Sequence, residues 1–171
     1  TALELITLAR EGYESLGQQL PALRTNLGLI HVLQELGRYQ EALDAGKIIL
    51  ENLQDANDPE TAKTAPARVE IAAKAYQNTG RCYEQMGRYD EALTAYTFAE
   101  KLLLALNMND QIGGISNNRG IVYLSLGQGR EALEAFKQAA RIFAENDETV
   151  YQAQAQINIG DACLMVGNYT Q

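Results

Sequence analysis

The residues most often used for nucleophilic catalysis or metal binding are scarce in this sequence, which has one histidine, His31, and two cysteines, Cys82 and Cys163. A catalytic triad needs a nucleophile beside its base, and no serine or cysteine can be placed next to His31. One histidine and two distant cysteines do not supply the four ligands of a structural zinc site. Gly113 and Gly114 have no strand before them and no Lys-Ser/Thr after them, which argues against a phosphate-binding loop. We therefore predict no enzymatic activity, no metal and no cofactor.

A recurring asparagine offers hydrogen-bonding chemistry instead. Asn78, Asn118 and Asn158 lie 40 residues apart, and each is followed two positions later by a glycine. Asparagine is a mediocre helix former, yet it returns at one position of a helical pattern. Its amide has donors and an acceptor, so it can bond the main chain of a bound peptide without reading the side chains. The alternative is that these amides bond only within the protein or to water.

Composition and charge narrow the class of partner. Hydrophobic residues make up 46% of the 171 residues, as in a folded protein, and the formal net charge is −8. No basic stripe interrupts this acidic composition, so we predict no nucleic-acid binding. The longest apolar run, at 102–106, is far too short to span a bilayer, and no secretory signal opens the chain. No membrane association is predicted.

The two cysteines indicate the compartment. They are far apart in the sequence and lack Cys-x-x-Cys spacing, so we interpret both as free, buried thiols, with a single disulfide as the alternative. Free thiols fit a reducing compartment, and a cytoplasmic location is predicted.

The asparagines open a longer repeated segment. It reads NTGRCYEQMGRYDEA at 78–92, NRGIVYLSLGQGREA at 118–132 and NIGDACLMVGNYTQ at 158–171, and part of it returns as LGRYQEAL at 36–43. Apolar residues follow the spacing of a helix, break at a glycine and then resume, so each copy predicts two antiparallel helices, A and B.

The small residues of each copy have a packing role. Gly80 on helix A and Ala92 on helix B allow the two backbones to approach closely where the helices cross. Tyr83 and Tyr96 are expected to fill the wider space around that contact.

These residues resemble the tetratricopeptide repeat, whose pattern is aromatic-x2-Leu-Gly-x2-Tyr followed by Ala-x3-Phe. The spacing is met by residues 76–83 with 92–96, and by 116–123 with 132–136, although Ser116 replaces the first aromatic in the second case. The period of 40 residues, against 34 in the common form, is similar to that of the arrays in kinesin light chain, Pins-type spindle adaptors and bacterial chains with a protease-like effector domain.

The resemblance implies an all-α fold, a right-handed α-solenoid of antiparallel helix hairpins. The chain lacks an initiating Met and begins inside an apolar-periodic run, so we expect a single array cut from a longer protein and truncated at both ends. Its expected parts are the B helix of a partial repeat at 1–17, complete repeats at 21–53, 66–106 and 110–145, and a partial repeat at 147–171 that stops where another B helix should begin.

Two irregularities interrupt the period. Ten extra residues fall within 51–70, and we expect them to lengthen helix A of the second complete repeat, with a longer loop over 54–66 as the alternative.

In the first complete repeat, Gly28 precedes Gly37 by nine positions instead of seven. Counting back from Gly37, which we adopt, places Ile30 at the small-residue position, whereas counting forward places Gly28 there.

The resemblance also implies where a partner binds, because the A helices of such arrays line an inner, concave face that takes extended peptides or helices. Rungs about 10 Å apart would meet about every third residue of an extended peptide. The predicted partner-binding residues are Lys74, Gln77, Asn78, Arg81, Asn117, Asn118, Ile121, Gln154, Asn158 and Asp161.

Side-chain chemistry at these positions suggests what the partner carries. Lys74 and Arg81 could hold a carboxylate, the alternative being that both are solvated. The inward-facing positions of the later repeats also include an apolar group that could form a second half of the groove, or pack against a neighbouring repeat. Its members are Ile121, Leu124, Ile157, Leu164 and Met165.

The sequence thus predicts a protein–protein interaction scaffold that binds a peptide or partner segment in the concave groove. Two alternatives stay open. One is a regulatory module that senses or restrains an effector domain elsewhere in the parent chain. The other is homo-association through exposed terminal repeats.

Overall fold

The computed structural model describes residues 1–168, which form eight α-helices and three short 3-10 helices and no strand. The chain divides into two compact units, Thr1–Leu106 and Asn107–Gln171. Within each unit successive helices pack against one another in the manner of a tetratricopeptide-like α-solenoid, so the all-α prediction is confirmed. The further B helix expected to begin at Gln171 lies outside the described residues.

The first unit contains five α-helices, each in contact with the next. A second set of contacts joins α2 directly to α4, which places these two as neighbouring A helices. The bounds are α1 at Ala2–Ser15, α2 at Gln19–Glu35, α3 at Tyr39–Asn52, α4 at Pro66–Gln85 and α5 at Tyr89–Ala105.

The second unit has the same organisation with three α-helices. A short 3-10 helix at Asn109–Gln111 leads into α6, Ile112–Ser125, which is followed by α7, Gly129–Glu145, and α8, Thr149–Asn168. Helix α7 contacts both of its neighbours, and α6 also contacts α8.

A glycine in the left-handed conformation ends helix A of each hairpin. Gly37, Gly87 and Gly127 have φ angles of 70°, 71° and 73°. In the turn between α4 and α5, the N–H of Arg88 donates to the main-chain oxygen of Tyr83 at 2.8 Å and so satisfies a carbonyl group at the helix end. Glycine adopts this conformation without the steric cost of a Cβ. Turn geometry therefore explains why the glycine recurs.

An aromatic ring covers a glycine where the paired helices cross. A Cβ added to Gly80 would lie 2.6 Å from Cε1 of Tyr96, and one added to Gly120 would lie 2.4 Å from Cε1 of Phe136. Both rings are fully buried. Close packing therefore depends on the absence of a side chain on helix A at these two crossings.

The first complete repeat has the two sizes reversed. Ile30 on α2 is fully buried, and the residue opposite it on α3 is a glycine, Gly46. A Cβ added to Gly46 would lie 3.7 Å from Cδ1 of Ile30 and 2.4 Å from Cγ2 of Thr79 on α4. The large residue is on helix A here and on helix B in the other crossings. This contact fits the numbering counted back from Gly37.

The prediction that the extra residues lengthen helix A is wrong. They form two short 3-10 helices, Gln54–Asn57 and Pro59–Lys63, and α4 begins only at Pro66. The prolines are the physical reason, since a residue that precedes proline is disfavoured in the helical conformation. Asp58 has φ −86° and ψ 121°, and Ala65 has φ −139° and ψ 58°, so helical geometry is interrupted twice.

The cysteines differ from each other in exposure. Both are free thiols, and Cys82 is buried, but Cys163 is exposed. The prediction of burial is therefore wrong for Cys163, which lies on a side of α8 that no helix of the described residues covers.

Candidate functional site

The predicted residues of α4 lie along one exposed side of that helix. Lys74, Gln77 and Asn78 are partly exposed and Arg81 is exposed. The amide of Asn78 makes no hydrogen bond to any of residues 1–168, although its main-chain oxygen accepts one from Nε2 of Gln34 at 2.9 Å. This amide is therefore available to an external partner.

The two cations on this side of α4 are not equivalent. Nζ of Lys74 lies 2.6 Å from Oε1 of Glu70, one helical turn away. That hydrogen bond, together with the charges of Lys74 and Arg24, lowers the pKa of Glu70. Arg81 forms no ion pair within the part of the chain that the structure describes. Arg81 is thus the cation better placed to meet a ligand carboxylate.

A buried amide joins α2 to α4 directly beneath this surface. Nε2 of Gln34 donates to the main-chain oxygen of Asn78 and also lies 3.2 Å from Sγ of Cys82. Burial is the main cause that raises the pKa of Cys82. Gln34 itself is buried between the two A helices.

The predicted residues of α8 are tied to α6 by a chain of amides. Nε2 of Gln154 donates to Oδ1 of Asn158 at 3.2 Å, and Nδ2 of Asn158 donates to Oδ1 of Asn117 at 2.9 Å. Asn158 therefore makes a hydrogen bond within the protein, which is the alternative to peptide binding that the sequence leaves open for all three asparagines. The amide of Asn118, on α6, has no hydrogen-bond partner among the described residues, and its side chain is partly exposed.

The apolar side of α8 is open. Ile157 is 61% exposed and Leu164 is 69% exposed; Asp161 is also exposed, and Ile121 on α6 is only partly so. A Cβ added to Gly160 would meet nothing within 4 Å, in contrast to the corresponding Gly120. The described residues therefore leave this side of α8 uncovered.

A half-buried carboxyl lies close to Arg81. Oη of Tyr96 donates to Oε2 of Glu84 at 2.7 Å. Burial raises the pKa of Glu84, while the hydrogen bond from Tyr96 and the charge of Arg81 oppose part of that rise. The pKa of Glu84 is therefore higher in the folded protein than in an unfolded chain, where the pKa of glutamate is about 4.3. As a result, the folded state loses stability as pH rises from about 4.3 through the folded-state pKa.

Replacing Glu84 with glutamine is expected to remove this pH dependence, because the amide oxygen still accepts from Tyr96 but carries no charge. Urea denaturation at several pH values should show E84Q gaining stability relative to the parent chain as pH rises from 4 to 7. A variant that loses stability over that range would mean that the attraction between Glu84 and Arg81 outweighs the cost of burial.

Sequence reasoning did not find a cleft that lies between α3 and α5, with α4 as its floor. It has a volume of about 720 Å³. The rings of Tyr76 on α4 and Phe98 on α5 stack inside it, with centroids 5.0 Å apart. The signals available in the sequence were the aromatic at position 76 and the ten extra residues that precede it. We refer to this feature as the α3–α5 cleft.

The described part of the chain contains neither a cluster of metal ligands nor a helix suited to cross a membrane. Residues 1–168 hold no group of three or more histidine, cysteine, aspartate or glutamate side chains arranged to bind a metal ion. None of their helices combines the length and the hydropathy needed to cross a bilayer.

The hairpins, the glycine turns and the glycine–aromatic crossings define a class, the tetratricopeptide repeat proteins. Tetratricopeptide repeat models match residues 73–102 and 111–171, which together are more than half of the chain. This chain belongs to the tetratricopeptide repeat family, as predicted.

The fold is also similar to that in the crystal structure of BtubC (BKLC) from P. vanneervenii, with a TM-score of 0.72 at 18% sequence identity. The match covers 94% of this chain but 64% of BtubC. At that identity the similarity shows the fold alone. No curated protein matches the sequence.

Proposed function

We propose that this chain is a protein–protein interaction module whose A helices bind the main chain of an extended peptide segment. Tetratricopeptide repeats generally mediate interactions between proteins, and scaffolds of this family are generally not enzymes. Binding of a peptide main chain is more specific than that general role, and the exposed amides of the A helices support it.

The observation that carries the proposal is the state of Asn78 and Asn118. Each occupies the same position of its repeat, is partly exposed, and has an amide without a hydrogen-bond partner in residues 1–168. An asparagine kept at a helical position needs a reason, because alanine or leucine would favour the helix by several tenths of a kcal/mol. Hydrogen bonding to a peptide main chain is such a reason.

Arg81 suggests the chemistry of the bound segment. It follows Asn78 by three residues, which places it about 4.5 Å further along the axis of α4. A peptide bonded to Asn78 through its main chain can therefore place an acidic side chain against the Arg81 guanidinium, which binds carboxylates in a bidentate manner.

Replacing Asn118 with alanine should weaken peptide binding about threefold to tenfold, the usual range for one lost hydrogen bond. The melting temperature should be nearly unchanged, since the amide has no internal bond to lose. Affinity is measured by fluorescence anisotropy on a linear peptide selected from a displayed library.

The matched control is Asn158→Ala, which removes the bond to Asn117 and should lower the melting temperature. Unchanged affinity in Asn118→Ala together with a clear loss of stability would place Asn118 among the structural residues and contradict the proposal.

A further inference from the structure

We propose that the α3–α5 cleft is a second binding site, which takes a short protein segment with a basic side chain next to an apolar or aromatic one. Its volume of about 720 Å³ falls within the range of functional ligand pockets. The site is separate from the exposed amides and does not depend on their role.

The cleft and the amide surface use opposite sides of α4. Tyr76 and Tyr83 line the cleft, whereas Asn78 and Arg81 belong to the predicted partner-binding set. Successive residues turn by about 100° around a helix, so Tyr76 and Tyr83 point in nearly the same direction. Asn78 and Arg81 lie more than a third of a turn away from both. A ligand in the cleft therefore leaves the amides free.

Three aromatic rings distinguish this cleft from the corresponding cleft of the preceding repeat. Tyr76 and Phe98 stack at 5.0 Å with an interplanar angle of 17°, and the Arg88 guanidinium lies 4.6 Å from the centre of the Tyr83 ring. Phe98 remains 40% exposed. The preceding repeat has no ring at the three equivalent positions, which are Asn26, Leu33 and Ile48. There the cleft between α1 and α3 has a volume of about 340 Å³.

The ten extra residues hold one of these rings in place. Oη of Tyr76 donates to Oδ1 of Asn57 in the first of the two 3-10 helices at 3.1 Å, and Gln54 at its start lines the cleft. An ion pair of 2.7 Å between Asp55 and Arg68 fastens the same segment to α4. The insertion is thus found in the one repeat of the first unit whose cleft is aromatic, and it fixes the orientation of Tyr76.

The charges of the cleft favour a basic ligand. Its two cations are already engaged, Arg88 with Glu91 at 2.8 Å and Lys47 with Glu51 at 3.7 Å. Asp44 instead accepts a hydrogen bond from the neutral amide of Gln40 at 3.2 Å, and no cation in residues 1–168 lies within 4.0 Å of it. An arginine or lysine of the ligand can pair with Asp44 and lie over an aromatic face.

Fluorescence anisotropy with the whole chain and an amidated, fluorescein-labelled peptide Gly-Phe-Arg-Leu-Gly tests the proposal. Saturable binding is expected. Phe98→Ala should weaken it about tenfold through loss of the ring, and Asp44→Asn should weaken it about fivefold through loss of the charge. Both residues are exposed, so both variants should keep the parent melting temperature, which circular dichroism checks.

Two controls define the site. Asp90→Asn removes an exposed carboxylate of α5 that does not line the cleft, so it should not change the affinity. A peptide with glutamine in place of arginine should bind at least fivefold more weakly, because it has no charge to pair with Asp44. The proposal is overturned if the arginine peptide does not saturate, if the glutamine peptide binds equally well, or if Phe98→Ala and Asp44→Asn leave the affinity unchanged.

Discussion

Replacing Gly120 with isoleucine is expected to lower the free energy of unfolding by about 3 kcal/mol, the upper part of the range for overpacked cores. A Cβ at this position would already lie 2.4 Å from the ring of Phe136, before the rest of the side chain is added. The ring is fully buried, and a close-packed interior leaves it little space to move into. Urea denaturation with a fixed m-value measures the loss.

Gly160 provides a matched control for this substitution. It occupies the same position one repeat later, but a Cβ added there meets nothing within 4 Å. Gly160→Ile should therefore leave stability unchanged or raise it slightly, since glycine is the poorer helix former. An equal loss in the two variants would show that backbone propensity, and not contact with Phe136, sets the cost.

A double variant tests whether the size of the pair is what matters. Gly120→Ile combined with Phe136→Gly reproduces the arrangement of Ile30 opposite Gly46. Its loss of stability should be smaller than the sum of the two single losses by more than about 1 kcal/mol, as for residues in direct contact. Additive losses would contradict the pairing.

The second large effect is expected for Ile30→Ala, which should cost about 4 kcal/mol. Large-to-small changes in a core cost about 2–5 kcal/mol, and the most where the surroundings cannot collapse. Ile30 is fully buried, and Gly46 has no side chain that could move into the space. The measurement is again the free energy of unfolding in urea.

Ile48→Ala is the control for this change, because Ile48 is 44% exposed and its truncation should cost below about 1 kcal/mol. A loss of less than 2 kcal/mol in Ile30→Ala would mean that the backbone at Gly46 moves inward and closes the cavity.

The repeated hairpins could be predicted from the sequence because local rules agree there. The helical spacing of apolar residues, a glycine at each turn and small residues at each crossing all indicate the same pair of helices. The first complete repeat is harder to number, since it lacks the small residue on helix A. The small residue of this crossing is on helix B instead, where Gly46 occupies the position that an aromatic ring has in the other repeats.

The insertion could not be placed from its sequence because two tendencies compete. Proline is favoured at the first position of a helix, which suggested an earlier start to α4. Proline also keeps the preceding residue out of the helical region, and in the structure this effect prevails at both Asp58 and Ala65.

The side-chain hydrogen bonds of the candidate site could not be predicted from the sequence either. Sequence spacing makes Asn78, Asn118 and Asn158 equivalent, but their hydrogen bonds depend on what the neighbouring helix presents. For Asn158 that neighbour is Asn117, whose Oδ1 lies 2.9 Å away. The α3–α5 cleft could not be predicted because three helices and an insertion form it, and no single segment of the sequence contains all the residues that line it.

The larger residue of the crossing is on helix A in the first complete repeat, where Ile30 lies opposite Gly46, and on helix B in the other crossings. This difference affects which helices can pair during folding. Arrays of similar hairpins can misfold when a helix docks on the partner of its relative. Helix α2 in the place of α4 against α5 would force Ile30 against Tyr96. Helix α4 in the place of α2 against α3 would leave Gly80 opposite Gly46, with an empty space between them. Both incorrect pairings are therefore disfavoured by poor packing. In the first unit, the position of the larger residue determines that α2 pairs with α3 and α4 with α5.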